Sequence, residues 1–429
     1  MIERNKISYL HLGPILAAVC FSSSHLSAAT PSIELTGTTG FSDNANKTAK
    51  NTAIDERQDI VGLNIKWEKR FDSNADVVLD YELEYEHFEE GSSDDELNIN
   101  GDSSLNFTLA SNLKAKLDHS IKQLLKDPGV AETNNNLEER NIYGAQLTAD
   151  FSPSSKQTIF VTPSIQEIDY GSSSTQNSTR FGLTGTWQLN LSSNSYINAQ
   201  YQTTKIDYDS NEPNQDYDQF LIGYGNTKRR LSYSADVGIN RYSSDSRDSE
   251  EPYLALNAAY KDNTHQLSLD ASRILTDTSF GDGNQSDLLS SIDGNRNELD
   301  QLLREKIKLS YSYYDLCRAC TLKLGFEIND EQYLTSSVND LKESIFSTGI
   351  TYKWDSRTVI NARFSHSGIA YKSQPSRDYD LEKTTVSFRK TIDRNWSWKL
   401  LTEYEARDSD ATGESYSEIY AGISIGYLF

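Results

Sequence analysis

The sequence predicts an all-β protein, a transmembrane up-and-down antiparallel β-barrel of about 18–20 strands. Three observations predict this fold. Apolar and polar residues alternate along many segments, short and long connections alternate between those segments, and the chain ends on an amphipathic, aromatic strand. Together they favour a barrel over a soluble β-sandwich, because a sandwich has no reason to keep short and long connections in order.

The N-terminus has the composition of a secretory signal peptide. An apolar run from Tyr9 to Phe21 follows two basic residues, and Ser27-Ala28-Ala29 supplies small residues for cleavage. We therefore expect residues 1–29 to be a cleaved signal peptide and residues 30–429 to form a single barrel domain. No later segment reaches the roughly 18 consecutive apolar residues that a membrane helix needs, so a mature chain that spans a membrane must do so with strands.

The strand-like segments alternate strictly between two residue classes. Between positions 77 and 85, Val, Leu and Tyr occupy every second position, and Asp80, Glu82 and Glu84 lie between them. This is the period of a strand with one apolar and one polar face, whereas a helix would scatter the carboxylates over several faces. The pattern recurs at residues 143–151, 181–189, 231–239, 322–328 and 346–354.

Tight turns alternate with longer acidic stretches that are rich in Ser, Asn and Gly. The longer stretches are Glu89–Glu96, Asp127–Glu139, Gly171–Thr179, Asp207–Asp216, Ser243–Glu251, Thr276–Glu298 and Thr335–Lys342. Outer-membrane barrels have short periplasmic turns and longer extracellular loops, and this order reproduces theirs. The pattern predicts a first strand near Ser32–Ser42 and a last strand near Ser415–Phe429, with both termini in the periplasm.

The last residues form an apolar stripe that ends on an aromatic side chain. Ile423, Ile425, Tyr427 and Phe429 alternate with small or polar residues. An ordinary amphipathic edge strand would look similar, but its place at the chain end favours a C-terminal assembly signal. The expected partners are outer-membrane lipid and the barrel-assembly machinery, and the expected location is the bacterial cell outer membrane.

The alternation also assigns faces, because apolar residues must contact lipid and polar residues must face the lumen. The candidate lumen-lining residues are Lys66, Glu68, Asp80, Glu82, Glu84, Lys114, Lys116, Asp118, Lys323, Glu327, Arg363, Arg389, Lys399 and Glu403. As a set they indicate a polar conduit, although each one alone is better explained as an ion pair that stabilises the wall. Aromatic residues interpreted as interfacial girdles are Trp67, Tyr85, Trp187, Tyr242, Trp354, Trp396, Trp398, Tyr404 and Tyr427.

Charge and motif content exclude other classes of function. The chain carries 41 Lys and Arg against 63 Asp and Glu, a formal net charge of −22, which argues against nucleic acid as a partner. His87, His119, His265 and His366 are scattered without metal-ligand spacing. No catalytic serine elbow or phosphate-binding glycine loop occurs, so we expect no enzymatic activity, no metal and no cofactor.

Cys317-Arg318-Ala319-Cys320 contains the cysteines that remain after signal removal. A redox motif would need a thioredoxin-like βαβ context, and a metal site would need more ligands than these. Because the periplasm is oxidising, our hypothesis is a structural disulfide between Cys317 and Cys320 at a short turn.

The start of the mature chain resembles a known group of barrels. The matching segments are Leu35-Thr36-Gly37, Phe41–Ala45, Asp59–Ile65 and Asp80–Tyr85, with the Tyr-rich segment last. They are similar to the β-barrel porins associated with exopolysaccharide-biosynthesis operons, the EpsL-like barrels. This resemblance implies export of an exopolysaccharide, with a polysaccharide and periplasmic polysaccharide-export proteins as partners. It carries no defined functional residues.

Other functions fit the same fold. The chain could be a general or solute-specific porin for small hydrophilic molecules, in which an inward-folded loop sets the size limit; Thr276–Glu298 is the candidate loop. It could be a non-conducting, surface-binding barrel whose acidic loops bind a ligand. A barrel enzyme whose catalytic groups come from different strands is a minor alternative.

Overall fold

The computed structural model describes residues 31–71, 74–127, 130–171, 174–210, 214–244, 247–278 and 300–429. The predicted signal peptide, residues 1–29, lies outside the described residues. So does most of Thr276–Glu298, the loop predicted to fold inward. The described chain between Pro31 and Phe429 forms one compact unit.

A single sheet contains 20 antiparallel strands, in agreement with the predicted number. The strands are β1 Ser32–Ser42, β2 Glu56–Phe71, β3 Ala75–Phe88, β4 Glu96–Ala110, β5 Leu113–Leu125, β6 Leu137–Ser154, β7 Gln157–Tyr170, β8 Ser178–Ser192, β9 Ser195–Tyr208, β10 Gln215–Thr227, β11 Leu231–Ser244, β12 Arg247–Lys261, β13 His265–Asp277, β14 Gln301–Cys317, β15 Cys320–Tyr333, β16 Leu341–Lys353, β17 Thr358–Tyr371, β18 Tyr379–Thr391, β19 Trp396–Ser409 and β20 Tyr416–Leu428.

The sheet closes on itself. Each strand pairs with its neighbours in sequence, and β1 pairs with β20 in a register that runs from Glu34 opposite Leu428 to Ser42 opposite Tyr420. Closure removes the unpaired edge strands that an open sheet would expose. The predicted all-β, up-and-down antiparallel barrel is therefore confirmed.

One predicted long connection is wrong. The stretch Ser243–Glu251 has the composition of a loop, yet β11 runs to Ser244 and β12 begins at Arg247. Tyr242 pairs with Ser249, and Ser243 pairs with Asp248. These strands extend beyond the apolar belt, where water on the outer face favours polar residues, so composition alone mistakes strand for loop.

Several extracellular loops are closed by the same type of hydrogen bond. The backbone N–H at a strand end donates to a side-chain oxygen seven residues later, in the pairs Phe88 with Asp95, Tyr170 with Asn177, Tyr333 with Asp340 and Tyr371 with Asp378. Single 3₁₀ turns occur at Asn134–Asn136, Ser174–Gln176, Ser337–Asn339 and Pro375–Arg377. Bonds of this kind satisfy the polar backbone that the loop would otherwise leave unpaired.

The periplasmic turns are closed by aspartate side chains. Asp262 accepts the backbone N–H groups of Thr264 and His265, and Asp393 accepts those of Asn395 and Trp396. Backbone N–H groups that bond a carboxylate favour its ionised form, and they hold the pKa of Asp262 and of Asp393 below the usual range.

The outer face carries an apolar belt. Large apolar side chains such as Val61, Phe220, Val237, Phe326 and Ile423 are exposed there at every second position of their strands. Exposed apolar surface on this scale would be unstable in water, and it matches the lipid-facing band of a membrane barrel. No helix in the described residues is long and apolar enough to cross a membrane. A closed barrel with this belt has the architecture of a bacterial outer-membrane protein.

Candidate functional site: the lumen and its extracellular mouth

The inner face of the barrel follows from the pairing register, because directly paired residues project to the same side of a sheet. Lys66 pairs with Asp80 in one ladder, and Lys116 pairs with Gln146 in another. Following every ladder around the barrel places all of the candidate lumen-lining residues, from Lys66 to Glu403, on one face. Gln146, which lines an interior cavity, lies on that face too.

At the periplasmic end this face is open to solvent. Lys66 Nζ lies 3.1 Å from Asp80 Oδ2, and the two side chains remain 63% and 56% exposed. Arg389 and Glu34 approach to 2.6 Å and are also partly exposed. These pairs are wet, surface-like contacts, for which the stabilisation is small.

Further up the wall the candidate residues join into shared ion pairs. Glu327 lies 3.3 Å from Lys306 and 3.4 Å from Lys308. Glu403 lies 2.8 Å from Lys383. The sequence predicted the faces of these residues but not the pairs, because the partners come from different strands.

The extracellular end of the lumen is packed instead of open. Inward-facing Ile168, Ile206 and Leu341 are almost fully buried. Arg304 Nη2 lies 2.6 Å from Glu331 Oε1, with the side chains 3% and 1% exposed. The described inward side chains are thus closely packed at this end of the wall.

A cluster of charges, which we call the mouth cluster, joins the first extracellular loop to the wall. It comprises Lys47, Lys383, Glu405, Glu418 and Tyr416. Lys47 Nζ lies 2.8 Å from Glu405 and 3.8 Å from Glu418, while Lys383 lies 3.1 Å from Glu405. The Tyr416 hydroxyl donates to Glu405 at 2.8 Å. The loop between β1 and β2 is therefore anchored to β19 and β20.

The charge of Lys47 is favoured by this setting. Burial alone would lower the pKa of its amine, but the nearby carboxylates of Glu405, Glu418 and Glu132 outweigh burial and raise that pKa. Glu132 belongs to the loop between β5 and β6. Two loops thus place opposite charges near each other at the mouth.

The loop between β5 and β6, described at residues 126–127 and 130–136, lies close to the mouth cluster. Asn136 holds it together by donating to the carbonyls of Asp127 at 2.8 Å and Ala131 at 3.1 Å. Its Asp127 lies within electrostatic range of Tyr371 on β17, far around the barrel. Among the described residues this loop contributes Glu132 to the surroundings of Lys47.

A cavity lies deeper, against β6–β14, and has a volume of about 810 Å³. Its wall consists mainly of amide and hydroxyl side chains. Examples are Gln146, Thr184, Tyr196, Asn198, Gln200 and Asn240. Such a wall offers both hydrogen-bond donors and hydrogen-bond acceptors.

One predicted girdle residue is misplaced. Tyr242 lies on the inner face, is buried, and its ring centroid is 5.2 Å from that of Tyr217. The outer face of β11 carries the odd-numbered residues Val237 and Ile239, so an even-numbered residue must point inward. Trp396 and Tyr427, by contrast, meet on the outer face with ring centroids 4.8 Å apart.

The remaining predicted residues lie at the periplasmic end. Ile423 and Ile425 are exposed on the outer face of β20, and Tyr427 packs against Phe429 with ring centroids 4.9 Å apart. Cys317 and Cys320 are joined by a disulfide across the β14–β15 turn. Within the described residues no group of His, Cys, Asp and Glu side chains could hold a metal ion.

Sequence reasoning missed the residues at the mouth. Neither Lys47 nor Glu405 was singled out, because they lie far apart in the chain and neither belongs to a recognisable motif. The loop closure did leave a signal, an aromatic residue at a strand end followed seven residues later by Asp or Asn. That spacing would have located several loop bases.

Comparison with known proteins finds structural similarity at low sequence identity. No family model and no curated protein matches the chain. Solved structures that align include the siderophore receptor PirA from Pseudomonas aeruginosa, with 11% identity, a TM-score of 0.47, and coverage of 95% of this chain and 81% of that chain. OccAB2 from Acinetobacter baumannii has 10% identity, a TM-score of 0.40, and coverage of 95% and 99%. A loop-deletion mutant of OmpT, an outer membrane protein of Vibrio cholerae, has 10% identity, a TM-score of 0.36, and coverage of 93% and 99%.

Proposed function

We propose that this barrel is an outer-membrane conduit through which an exopolysaccharide is exported. The observation that carries the proposal is the polar lumen of a closed 20-stranded barrel, with a cavity of about 810 Å³ walled by amides and hydroxyls. A polysaccharide presents hydroxyl groups along its whole length, and such a wall can exchange hydrogen bonds with them as the chain moves. The similarity of the first strands to EpsL-like barrels supports the same function.

The asymmetry of the lumen fits outward transport. The periplasmic end is wide and wet, so a polymer delivered by periplasmic export proteins can enter it. The extracellular end is held by side chains and by the mouth cluster, which would keep the outer membrane sealed when no polymer is present. In this proposal the barrel moves a polymer and catalyses no reaction.

Deletion of the gene in its native host tests the proposal. We expect secreted polysaccharide to fall and to return when the wild-type gene is supplied. Unchanged secretion in the deletion strain would contradict export. Neighbouring genes for glycosyltransferases and a chain-length regulator would add support.

A porin for small hydrophilic solutes is the second candidate, and the position of loop 126–136 close to the mouth cluster favours it. A loop at the mouth of a barrel can set a size limit for solutes. Liposome swelling with sugars of increasing size separates the candidates, because a porin admits small sugars without a partner protein. A barrel that neither supports polysaccharide secretion nor admits sugars into liposomes would instead be a surface-binding protein.

A further inference from the structure

We infer that the inner wall formed by β7–β11 is a binding surface for uncharged sugar units. This inference rests on the proposed function and deepens it, because it names the class of polymer. Charged residues are sparse on this wall. On the inward face of β7–β11, which the structure describes throughout, the charged residues are Arg180 and Asp236.

Arg180 does not present its charge to the lumen. Its Nη2 lies 2.8 Å from Asp277 Oδ1, and both side chains are nearly fully buried. Lys306 and Lys308, which reach the cavity from β14, are close to Glu327. The basic groups that reach the cavity are thus paired, and the lining also includes Asp218, Asp236 and Asp270. An acidic polymer would therefore find little opposite charge to replace its water.

The wall also carries polar atoms that lack partners. Asn198 Oδ1, Asn240 Nδ2 and Tyr217 Oη are buried and form no hydrogen bond among the described residues. All three side chains line the cavity. Buried polar groups are nearly always hydrogen-bonded, so unpaired ones on a cavity wall indicate a place for ligand or water.

The kind of unpaired atom indicates the kind of ligand. An amide oxygen can only accept a hydrogen bond, an amide nitrogen can only donate one, and a phenol can do either. A carboxylate or phosphate would satisfy donors only. A sugar hydroxyl both donates and accepts, so it can pair with each of these atoms.

Glycines in the wall let a neighbouring aromatic ring lie flat against the backbone. Gly223 and Gly225 are inward positions of β10, and a Cβ there would collide with Asn198 and Asp236 at the first glycine and with the Tyr196 ring at the second. The ring therefore rests on backbone and forms part of the wall. Aromatic rings placed in this way provide an apolar platform for the C–H face of a sugar. The cavity volume lies within the range of about 300–1,000 Å³ that is typical of ligand sites.

Equilibrium binding to the purified full barrel in detergent tests the inference. Titration calorimetry would compare two named probes of equal length, the neutral maltohexaose and the acidic hexagalacturonate. We expect maltohexaose to bind at least tenfold more tightly. Equal binding, tighter binding of the acidic probe, or no binding of either probe would overturn the inference.

A matched pair of variants locates the site. We expect Asn198→Ala combined with Asn240→Ala to weaken maltohexaose binding at least fivefold. Asn64→Ala, an inward amide on β2, should leave it unchanged. An equal effect of the two variants would contradict binding at β7–β11, provided that both migrate as folded barrels in unheated gels.

Sugar binding and polysaccharide export can fail independently of each other. Secretion that is lost in the deletion strain, together with absent sugar binding, would keep the conduit and reject this wall as its track. Binding of maltohexaose without any secretion phenotype would keep the site and reject export.

Discussion

The two ends of the lumen differ in how they hold charge. At the extracellular end Arg304 and Glu331 are buried together, whereas at the periplasmic end Lys66 and Asp80 form a similar pair in water. Both pairs join neighbouring strands on the inner face. Removing an ion from water is costly, so each charge of the buried pair depends on the opposite charge for its stability. The charges of the exposed pair stay solvated and depend little on each other. One barrel therefore combines a mouth with buried ion pairs and a periplasmic end whose ion pairs stay in water.

Breaking the buried pair should have the largest effect. We expect Arg304→Met to lower the free energy of unfolding by about 3–5 kcal/mol, because it leaves the Glu331 carboxylate uncompensated. Urea unfolding followed by tryptophan fluorescence measures this change. The double variant Arg304→Met with Glu331→Met should recover most of the loss; a double variant as unstable as the single one would show that packing, not charge, holds this end.

Releasing the first loop should have an intermediate effect. We expect Lys47→Met to cost about 1.5–3 kcal/mol, the range for a hydrogen bond to a charged group, because Lys383 still compensates Glu405. It should also raise the planar-bilayer conductance, since the loop loses its anchor. Lys50→Met, an exposed position in the same loop, is the control. Equal conductance of Lys47→Met and wild type would contradict a sealing role for the mouth cluster.

The contact between Lys47 and the barrel wall should weaken at alkaline pH. A raised lysine pKa in the folded state adds stability that is fully present below the unfolded value of about 10.4 and is lost as pH rises through the folded value. We expect conductance of the wild type to rise in that alkaline range. Lys47→Met should show a smaller rise, and a rise of the same size in both proteins would assign it to other groups.

The exposed pair at the periplasmic end should matter least among the ion pairs. We expect Lys66→Met to change the free energy of unfolding by less than about 1 kcal/mol, because both charges stay solvated. The same urea series measures it. A loss comparable to that of Arg304→Met would remove the distinction between the two ends.

Acid pH tests the aspartate side chains that close the periplasmic turns. Asp262 has a lowered pKa because the N–H groups of Thr264 and His265 bond its carboxylate. Its contribution is therefore present above the unfolded value of about 3.9 and is lost as pH falls through the lower folded value. We expect Asp262→Ala to lower Tm slightly at pH 6, with the difference from wild type shrinking in strong acid. Asp393→Ala should behave alike; a difference from wild type that is independent of pH would contradict the proposed turn closure.

The sequence determines which face of the sheet a residue occupies. It does not determine how deeply the residue is buried or which side chain it contacts. Period two placed Lys66, Glu327 and Glu403 on the inner face, because alternation follows from strand geometry alone. It could not tell that the ring of Tyr242 lies inside, since a strand-end aromatic residue suits either face. Nor could it pair Lys47 with Glu405, because that contact depends on the path of a loop and on barrel closure. The ion pairs at the mouth therefore emerge only in three dimensions.

The pairing of β1 with β20 has a consequence for synthesis. Because the first strand finds its last partner at the end of the chain, the cylinder cannot form while the polypeptide is still emerging. Until then the hydrogen-bonding groups along one side of β1 are open to any other extended segment, and such edges promote aggregation. Contacts between distant parts of a chain also form slowly. The barrel thus depends on being kept apart from other chains during the interval between translation and insertion.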